Sequence, residues 1–331
     1  MSGLTVAVTG PTGTFGFGLI PHLQADDRVE RIVGIARRPF DPASRGWSKM
    51  VYRQRDVRDP AALRAAFEGA DAVIHLAFLV IGNAPRQILR QVNVDGTLNA
   101  FDAAAAAGAA RFVSASSVAA YGFHSDNPVG MTEDWPVRPA GSLFYAREKA
   151  ELELRLREMA AGHPGTKLYL VRPSIVLGSH ALGAKRVLPD PLDGIVRRLA
   201  GRLPVRIPVV VPDFPVQFVH EDDVGQAFWL CAMGAGPPGA YNIAADDTLS
   251  TVDISRELGF LPLPMPSGPI RIAARLAATL PFLPPQAQWV EVASHPAIMD
   301  TFKARHQLGW KARHTALEAL RITLGTARPA S

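Results

Sequence analysis

Tyr145 and Lys149 stand one helical turn apart in the string "SLFYAREKAELELRLREM". On a helix that spacing puts both side chains on the same face. An ammonium beside a phenol favours the phenolate and is expected to lower the Tyr145 pKa from about 10 toward neutrality. Such a phenol can give or take the proton that accompanies interconversion of an alcohol and a carbonyl. A hydroxyl that holds the carbonyl oxygen would complete the device, and "FVSASSVAAYG" offers Ser114, Ser116 and Ser117.

That chemistry needs a partner for the electrons, and the amino-terminal stretch "LTVAVTGPTGTFGFGLI" offers a place for one. Gly10, Gly13 and Gly16 form a G-x-x-G-x-x-G pattern after an apolar, β-branched run. The first glycine permits a tight exit from a strand, the second lets backbone amides approach a pyrophosphate, and the third lets the helix pack close to a sheet. Thr12, Thr14 and Phe15 belong to the same turn and are expected at the phosphates. At the end of the second strand, "IVGIARRPF" has Ala36 where an acid would bind the adenosine ribose of NAD, followed by Arg37 and Arg38. Arginine there suits the 2′-phosphate of NADP, so NADP is the expected cofactor, with NAD the alternative.

The elements that must position these residues alternate. Short apolar runs at Leu4–Thr9, Arg31–Ala36, Val51–Arg55, Asp71–Leu76, Arg111–Ser116 and Lys167–Arg172 predict strands of a parallel sheet buried on both faces. Helical patterns lie between them at Phe15–Gln24, Pro60–Glu68, Pro85–Ala107 and Leu143–Ala161, with Asp59 a start signal and Gly108 a stop. The fold class is therefore α/β, a Rossmann-type doubly wound parallel sheet, whose carboxyl edge carries the serines. Beyond about residue 175 prolines crowd Leu188–Pro215 and Phe260–Pro285. A strand and an Asp-capped helix are expected in Val216–Met233, and another helix capped near Ser250 or Thr251. The expected division is a dinucleotide-binding domain over 1–178, which also receives parts of 207–250, and a smaller, interleaved substrate lobe over 179–331.

Composition narrows the function classes. The 331 residues are 48% hydrophobic and 20% charged, as in a globular protein with a large core. One cysteine, Cys231, permits no internal disulfide, and no apolar run suits a signal or a membrane span, so a cytoplasmic protein is expected. The net charge of +5 is carried by arginines scattered among acids, which does not make a nucleic-acid surface. Dispersed histidines show no ligand spacing, and no metal is expected. The amphipathic stretch Ile270–Pro285 is expected to face a core or a subunit contact rather than a membrane.

Taken together, the glycine pattern, Ser116-Ser117…Tyr121-Gly122 and Tyr145-x-x-x-Lys149 resemble the extended short-chain dehydrogenase/reductase superfamily, which includes NAD-dependent epimerases and dehydratases. "RDVRD" at Arg55–Asp59, "VIHLA" at Val73–Ala77, "VNVDGTLN" at Val92–Asn99, "VRPSIVLG" at Val171–Gly178 and "FVHEDDVGQA" at Phe218–Ala227 extend the likeness from residue 4 to about 245. The resemblance implies that Asp56 and Val57 hold the adenine and that Leu76, Ala77 and Phe78 line the cofactor's path. It implies Ser117 as the catalytic serine, with Ser116 the fallback, Tyr145 as general acid/base, and Lys149 on the nicotinamide ribose. Pro173, Ser174 and Ile175 would pack beside the nicotinamide, with Ser114 at the same edge. Asn93 matches an architectural asparagine. Dimerisation through the helices Pro85–Ala107 and Leu143–Ala161 is implied as well, on outer faces expected to be rich in alanine and leucine.

Departures from the family pattern limit the reaction. Ser116-Ser117-Val118 replaces the Thr-Asp-Glu type of string found in dehydratases, so dehydration is not expected. The missing acid at Ala36 weighs against permanently bound NAD. His124 and Glu133, near the expected mouth, are read as solvated. The leading expectation is an NAD(P)-dependent oxidoreductase acting on a small carbonyl or alcohol. A nucleotide-sugar epimerase with the same three residues is the alternative, and a non-catalytic NADP sensor is a reading from another class. Arg197, Arg198, Arg202 and Arg206 are candidates to meet a diphosphate.

Overall fold

The computed structural model describes residues 3–79, 85–139, 143–181, 208–265 and 295–326. Its centre is a seven-stranded sheet in which all neighbours run parallel. The strands are β1 (Leu4–Thr9), β2 (Val29–Ala36), β3 (Met50–Gln54), β4 (Ala72–His75), β5 (Arg111–Ala115), β6 (Lys167–Pro173) and β10 (Gly239–Ile243), in the order β10-β6-β5-β4-β1-β2-β3. Valine, isoleucine and alanine fill both faces of the central strands, because helices cover both sides. The order reverses between β1 and β4, which opens a crevice at their carboxyl ends.

Helix α1 (Thr14–Ala25) and helix α6 (Glu221–Met233) cover one face. They cross at Gly18 and Gly225. A Cβ on Gly18 would lie 2.0 Å from the Glu221 carbonyl oxygen, and one on Gly225 would lie 2.2 Å from the Gly18 carbonyl carbon. These two glycines exist for backbone-to-backbone contact. Helix α6 is capped by the His220 side chain, which accepts from the Asp222 N–H, and not by an aspartate. The acids expected to cap, Asp222 and Asp223, lie inside the first turn, where they complement the helix dipole.

The other face carries α2 (Pro60–Phe67), capped by Asp59, and the run 86–106. That run is not one uniform α-helix. It divides into α3 (Arg86–Arg90), a π turn (Gln91–Asp95) and α4 (Gly96–Ala106). The wide turn frees the Asn93 side chain to clamp the backbone of Leu79, with N–H to Oδ1 at 2.8 Å and Nδ2 to carbonyl oxygen at 3.1 Å. Helix α5 (Phe144–Gly162) follows. Most alanines of α4 are buried, and the exposed positions of α3, the π turn and α5 carry Arg86, Arg90, Asp95, Arg147, Arg155, Arg157 and Glu158. Leu154 is the large exposed apolar side chain among them, so the expected alanine- and leucine-rich outer faces are absent.

Two small sheets complete the described fold. One is β11-β9-β7, from Thr248–Ser250, Pro215–His220 and Ile175–Leu177, and the other pairs β12 (Leu261–Met265) with β8 (Pro208–Pro212). Helix α7 (Thr251–Glu257) starts at Ser250, whose hydroxyl accepts from Asp253 N–H. Helix α8 (Ala316–Leu324) starts with a Thr315–Glu318 capping box. The stretch Ile270–Pro285 and Arg197, Arg198, Arg202 and Arg206 fall outside the described residues. Among the described residues no helix is long and apolar enough to cross a membrane.

Candidate active site

The carboxyl ends of β1, β4, β5 and β6 converge on the crevice. Gly10 leaves β1 with φ of +71°, and a Cβ there would meet Ala77 N at 2.9 Å, so only glycine lets the chain turn past β4. Gly13 differs: its added Cβ would meet only the Gly10 carbonyl oxygen, at 3.5 Å. Among the described residues nothing else crowds Gly13, and no side chain caps the first turn of α1 beyond it. An uncapped helix start beside such a glycine has N–H groups that could hold a pyrophosphate. Gly16 closes the turn tightly, since a Cβ there would lie 2.0 Å from the Pro11 carbonyl oxygen. Thr12 is partly exposed in the loop, Thr14 Oγ1 donates to the His180 carbonyl at 2.9 Å, and the Phe15 ring packs on Phe228, leaving the Phe15 backbone at the helix start.

Arg37 and Arg38 follow β2 with exposed side chains, while their carbonyls accept from Gln54 Nε2 and the Tyr52 hydroxyl. Asp56, at the end of β3, pairs with Arg58 at 2.7 Å, and this guanidinium holds its carboxyl below the usual range. Val57 is buried against Gly96, and its carbonyl accepts from Asn99 Nδ2 at 3.3 Å. A cleft of about 470 Å³ lined by Asp56, Arg58, Asp59, Gln91, Asp95 and Asn99 opens beside them. The described residues thus fit a nicotinamide dinucleotide, with room at the glycine turn, a cleft by Asp56 and exposed cations past β2.

Helix α5 brings Tyr145 and Lys149 to the other end of the crevice. Lys149 is buried, donates to the Ala115 carbonyl at 2.6 Å, and sits 3.5 Å from the centre of the Phe78 ring. Burial pulls its pKa down to about 7, against the opposing charges of Glu148 and Glu153. The half-buried Tyr145 ring stands edge-on to Phe78, centroids 5.7 Å apart, and the phenol hydrogen-bonds the Ser117 side chain. Burial raises the Tyr145 pKa and the Ser117 hydrogen bond opposes the rise. The expected depression toward neutrality is thus corrected. Lys149 Nζ lies 5.8 Å from the Tyr145 ring centre and spends its hydrogen bond on Ala115, so desolvation prevails.

The two serines separate. Ser117 Oγ accepts from the Ala119 N–H at 3.1 Å, capping a 3-10 turn, and also meets Tyr145. Ser116 Oγ instead donates to Glu153 at 2.5 Å, behind the sheet edge. Ser114 is buried within β5 and paired in register with His75. Pro173 and Ser174 are buried at the end of β6, and Ile175 is exposed. Ser174 Oγ is buried with no hydrogen-bond partner, a polar atom left over at the carboxyl edge of the sheet. Leu76 is buried, whereas Ala77 and Phe78 are partly exposed at the end of β4.

Sequence reasoning did not find the layer behind the site. Glu153, one turn beyond Lys149, makes two bonds with Arg172, at 2.8 and 2.5 Å, both side chains almost fully buried. Arg172 donates on to the Tyr121 hydroxyl at 2.6 Å, and Tyr121 donates to Asn242 Oδ1 at 2.8 Å. The spacing Lys149–Glu153 was the one signal available. His75 bonds Thr9 and Thr97 at 2.9 and 3.0 Å, and burial, with the Lys149 charge, keeps it neutral with a pKa of about 3. His124 and Glu133, expected to be solvated, are tied to the Arg138 carbonyl at 2.6 Å and the Asn242 N–H at 2.7 Å.

Comparisons with known proteins place the fold and the family. The profile of the NAD dependent epimerase/dehydratase family matches residues 6–244. The chain belongs to that family. An uncharacterized protein of Sinorhizobium fredii is 30% identical over 322 residues, covering 94% of this chain and 75% of its own. Sterol demethylase protein B of Methylococcus capsulatus is 34% identical over 178 residues, 53% of this chain and 52% of its own. Among solved structures, the UDP-glucose 4-epimerase of Thermotoga maritima, determined with UDP-glucose, superposes with a TM-score of 0.73 at 18% identity, covering 98% of both chains. At that identity the likeness concerns the fold.

Proposed function

We propose that the protein is an NAD(P)-dependent oxidoreductase that interconverts an alcohol and a carbonyl at the Ser117–Tyr145 pair. The observation that carries this reading is the Ser117 side chain at the Tyr145 phenol, beside a buried Lys149 at the carboxyl edge of the sheet. When bound, the dinucleotide supplies the two-electron donor or acceptor. Gly13 and the start of α1 would hold its diphosphate, Asp56 and Val57 its adenine, and Lys149 its nicotinamide ribose. Ser117 would hold the substrate oxygen, and Tyr145 would deliver the proton to it or remove it. Phe78 limits water around Lys149.

Arg37 and Arg38 favour NADP, because two exposed arginines follow β2, where arginine suits a 2′-phosphate, and Ala36 offers no acid to the ribose hydroxyls. Fluorescence titration with NADPH and NADH, in the parent and in Arg37→Ala/Arg38→Ala, tests this preference. NADPH should bind more tightly to the parent, and the double variant should lose the difference. Turnover is then sought with aliphatic, steroid-like and nucleotide-sugar carbonyls, and Tyr145→Phe should keep cofactor binding while turnover falls by roughly 10²–10⁴. Undiminished turnover in Tyr145→Phe refutes the assignment.

A second reading is favoured by the family itself: a nucleotide-sugar epimerase using the same groups for a transient oxidation. Interconversion of UDP-sugar epimers without net consumption of NAD(P)H would select it.

A further inference from the structure

Away from the crevice, the start of α6 meets the segment that leads into α8. We propose that His220, Asp222 and His314 form a binding site for a divalent transition-metal ion such as Zn²⁺. One donor atom from each of the three lies within 4.8 Å of the others. Far apart in sequence, the two imidazoles are brought together, ring centres 3.9 Å apart and planes tilted by 32°, so one ring turns for both to reach a single ion. The Asp222 carboxylate stands 3.6 Å from His220 Nδ1.

Two further observations point to a ligand. His220 is buried, its Nδ1 accepts from the Asp222 N–H and its Nε2 has no hydrogen-bond partner, so coordination through Nε2 moves the ring proton to Nδ1, beside the Asp222 carboxylate. His314 is held by its other nitrogen: Nδ1 donates to the buried Asp223 carboxylate at 3.1 Å, leaving Nε2 with its lone pair. A carboxylate that orients an imidazole in this way is the usual outer partner of a metal-bound histidine. Asp223 is fixed in turn by the N–H groups of Arg313 and His314, at 3.0 and 3.2 Å.

The donor set selects the ion. Two imidazoles and one carboxylate suit Zn²⁺, Co²⁺ or Ni²⁺, whereas Mg²⁺ prefers oxygen ligands. Asp222 is half-exposed and His314 is reachable from solvent, so an ion has a way in, and water would complete its shell. Asp222 and Asp223 supply negative charge against the neighbouring Arg313. Bound there, the ion would fasten the segment before α8 to the end of β9 and the start of α6.

The test uses the full chain stripped with a chelator and titrated with Co²⁺, whose visible absorption reports ligand type and geometry, and with Zn²⁺ in a thermal melt. One equivalent should bind, and Zn²⁺ in hundredfold excess over its Kd should raise Tm by about 3–5 °C, with Mg²⁺ giving no shift. His314→Gln and Asp222→Asn should each abolish both signals, and the exposed His306→Gln should leave them unchanged. Asp222→Asn alters a half-exposed side chain, so it stays decisive if His314→Gln fails to fold. The proposal is overturned if the parent shows no signal with up to about 1 mM Co²⁺, if either folded variant retains binding, or if His306→Gln abolishes it.

Discussion

Lys149 Nζ lies 2.6 Å from the carbonyl oxygen of Ala115, two residues before Ser117. That bond ties helix α5 to the end of β5, so the residues at the two ends of the Ser117–Tyr145 hydrogen bond are held by one contact. It also leaves a buried ammonium with a single strong acceptor. Burial brings the Lys149 pKa to about 7, below the value near 10.4 expected in the unfolded chain. Between those values the unfolded chain binds more protons, so stability rises with pH through this window. Lys149→Met removes the titration. Urea unfolding from pH 7 to 10 should show the parent gaining on the variant by a few kcal/mol, and a constant difference would contradict the assignment.

Ser116 and Ser117 make opposite predictions. Ser117→Ala removes the hydroxyl at Tyr145 and should lower turnover by roughly 10²–10³ with little change in cofactor affinity. Ser116→Ala removes a donor from the buried Glu153 and should cost about 1–2 kcal/mol of stability while turnover is largely kept. Steady-state kinetics and melts on both variants separate the roles, and reversed outcomes would assign catalysis to Ser116.

The Glu153–Arg172 pair gives a pH-dependent contribution of its own. Burial pushes the Glu153 carboxyl up, but Arg172 and Ser116 outweigh it and hold it below its ordinary value. This stabilisation is present above the unfolded carboxylate pKa and is lost as pH falls through the native one. Glu153→Gln leaves the Arg172 charge buried without its partner and should cost about 3–5 kcal/mol, whereas Glu153→Met with Arg172→Met should cost clearly less. Equal losses in the two variants, measured by urea midpoint, would contradict the network.

Two glycines of the amino-terminal run should respond in different ways to a single methyl group. Gly18→Ala drives a Cβ onto the Glu221 carbonyl and should destabilise the fold by roughly 1–3 kcal/mol. Gly13→Ala meets nothing closer than 3.5 Å and should fold like the parent, yet bind dinucleotide at least tenfold more weakly. Melting temperatures and fluorescence titrations decide both, and unimpaired binding in Gly13→Ala would remove the diphosphate site.

Local pattern was enough where the structure depends on local pattern. Leu4–Thr9 is a strand as its alternation with glycine-marked turns predicts, and the ends of β2 to β6 shift by no more than two residues. Asp59 and Ser250 cap where their chemistry suggests. The π turn at Gln91–Asp95 was not legible, because the grip of Asn93 on Leu79 that goes with it is a contact made in three dimensions. The His220 cap was hidden by the acids that follow it. The pKa of Tyr145 misled for a similar reason: helical spacing told which side chains share a face, but Ala115 on β5 and Phe78 in the loop after β4 decide where the ammonium points. The chain from Glu153 through Arg172 and Tyr121 to Asn242 joins four separate segments, and no window of sequence contains it.

Strand β10 pairs with β6 across more than sixty intervening residues, and Gly225 seals the first helix near residue 18. During synthesis, then, the opening strands and α1 leave the ribosome with an apolar flank that only a segment made much later can cover. A nascent chain of this protein is a candidate client for chaperones over most of its translation. Ribosome-bound fragments arrested before residue 225 should be more sensitive to protease than those released past residue 244.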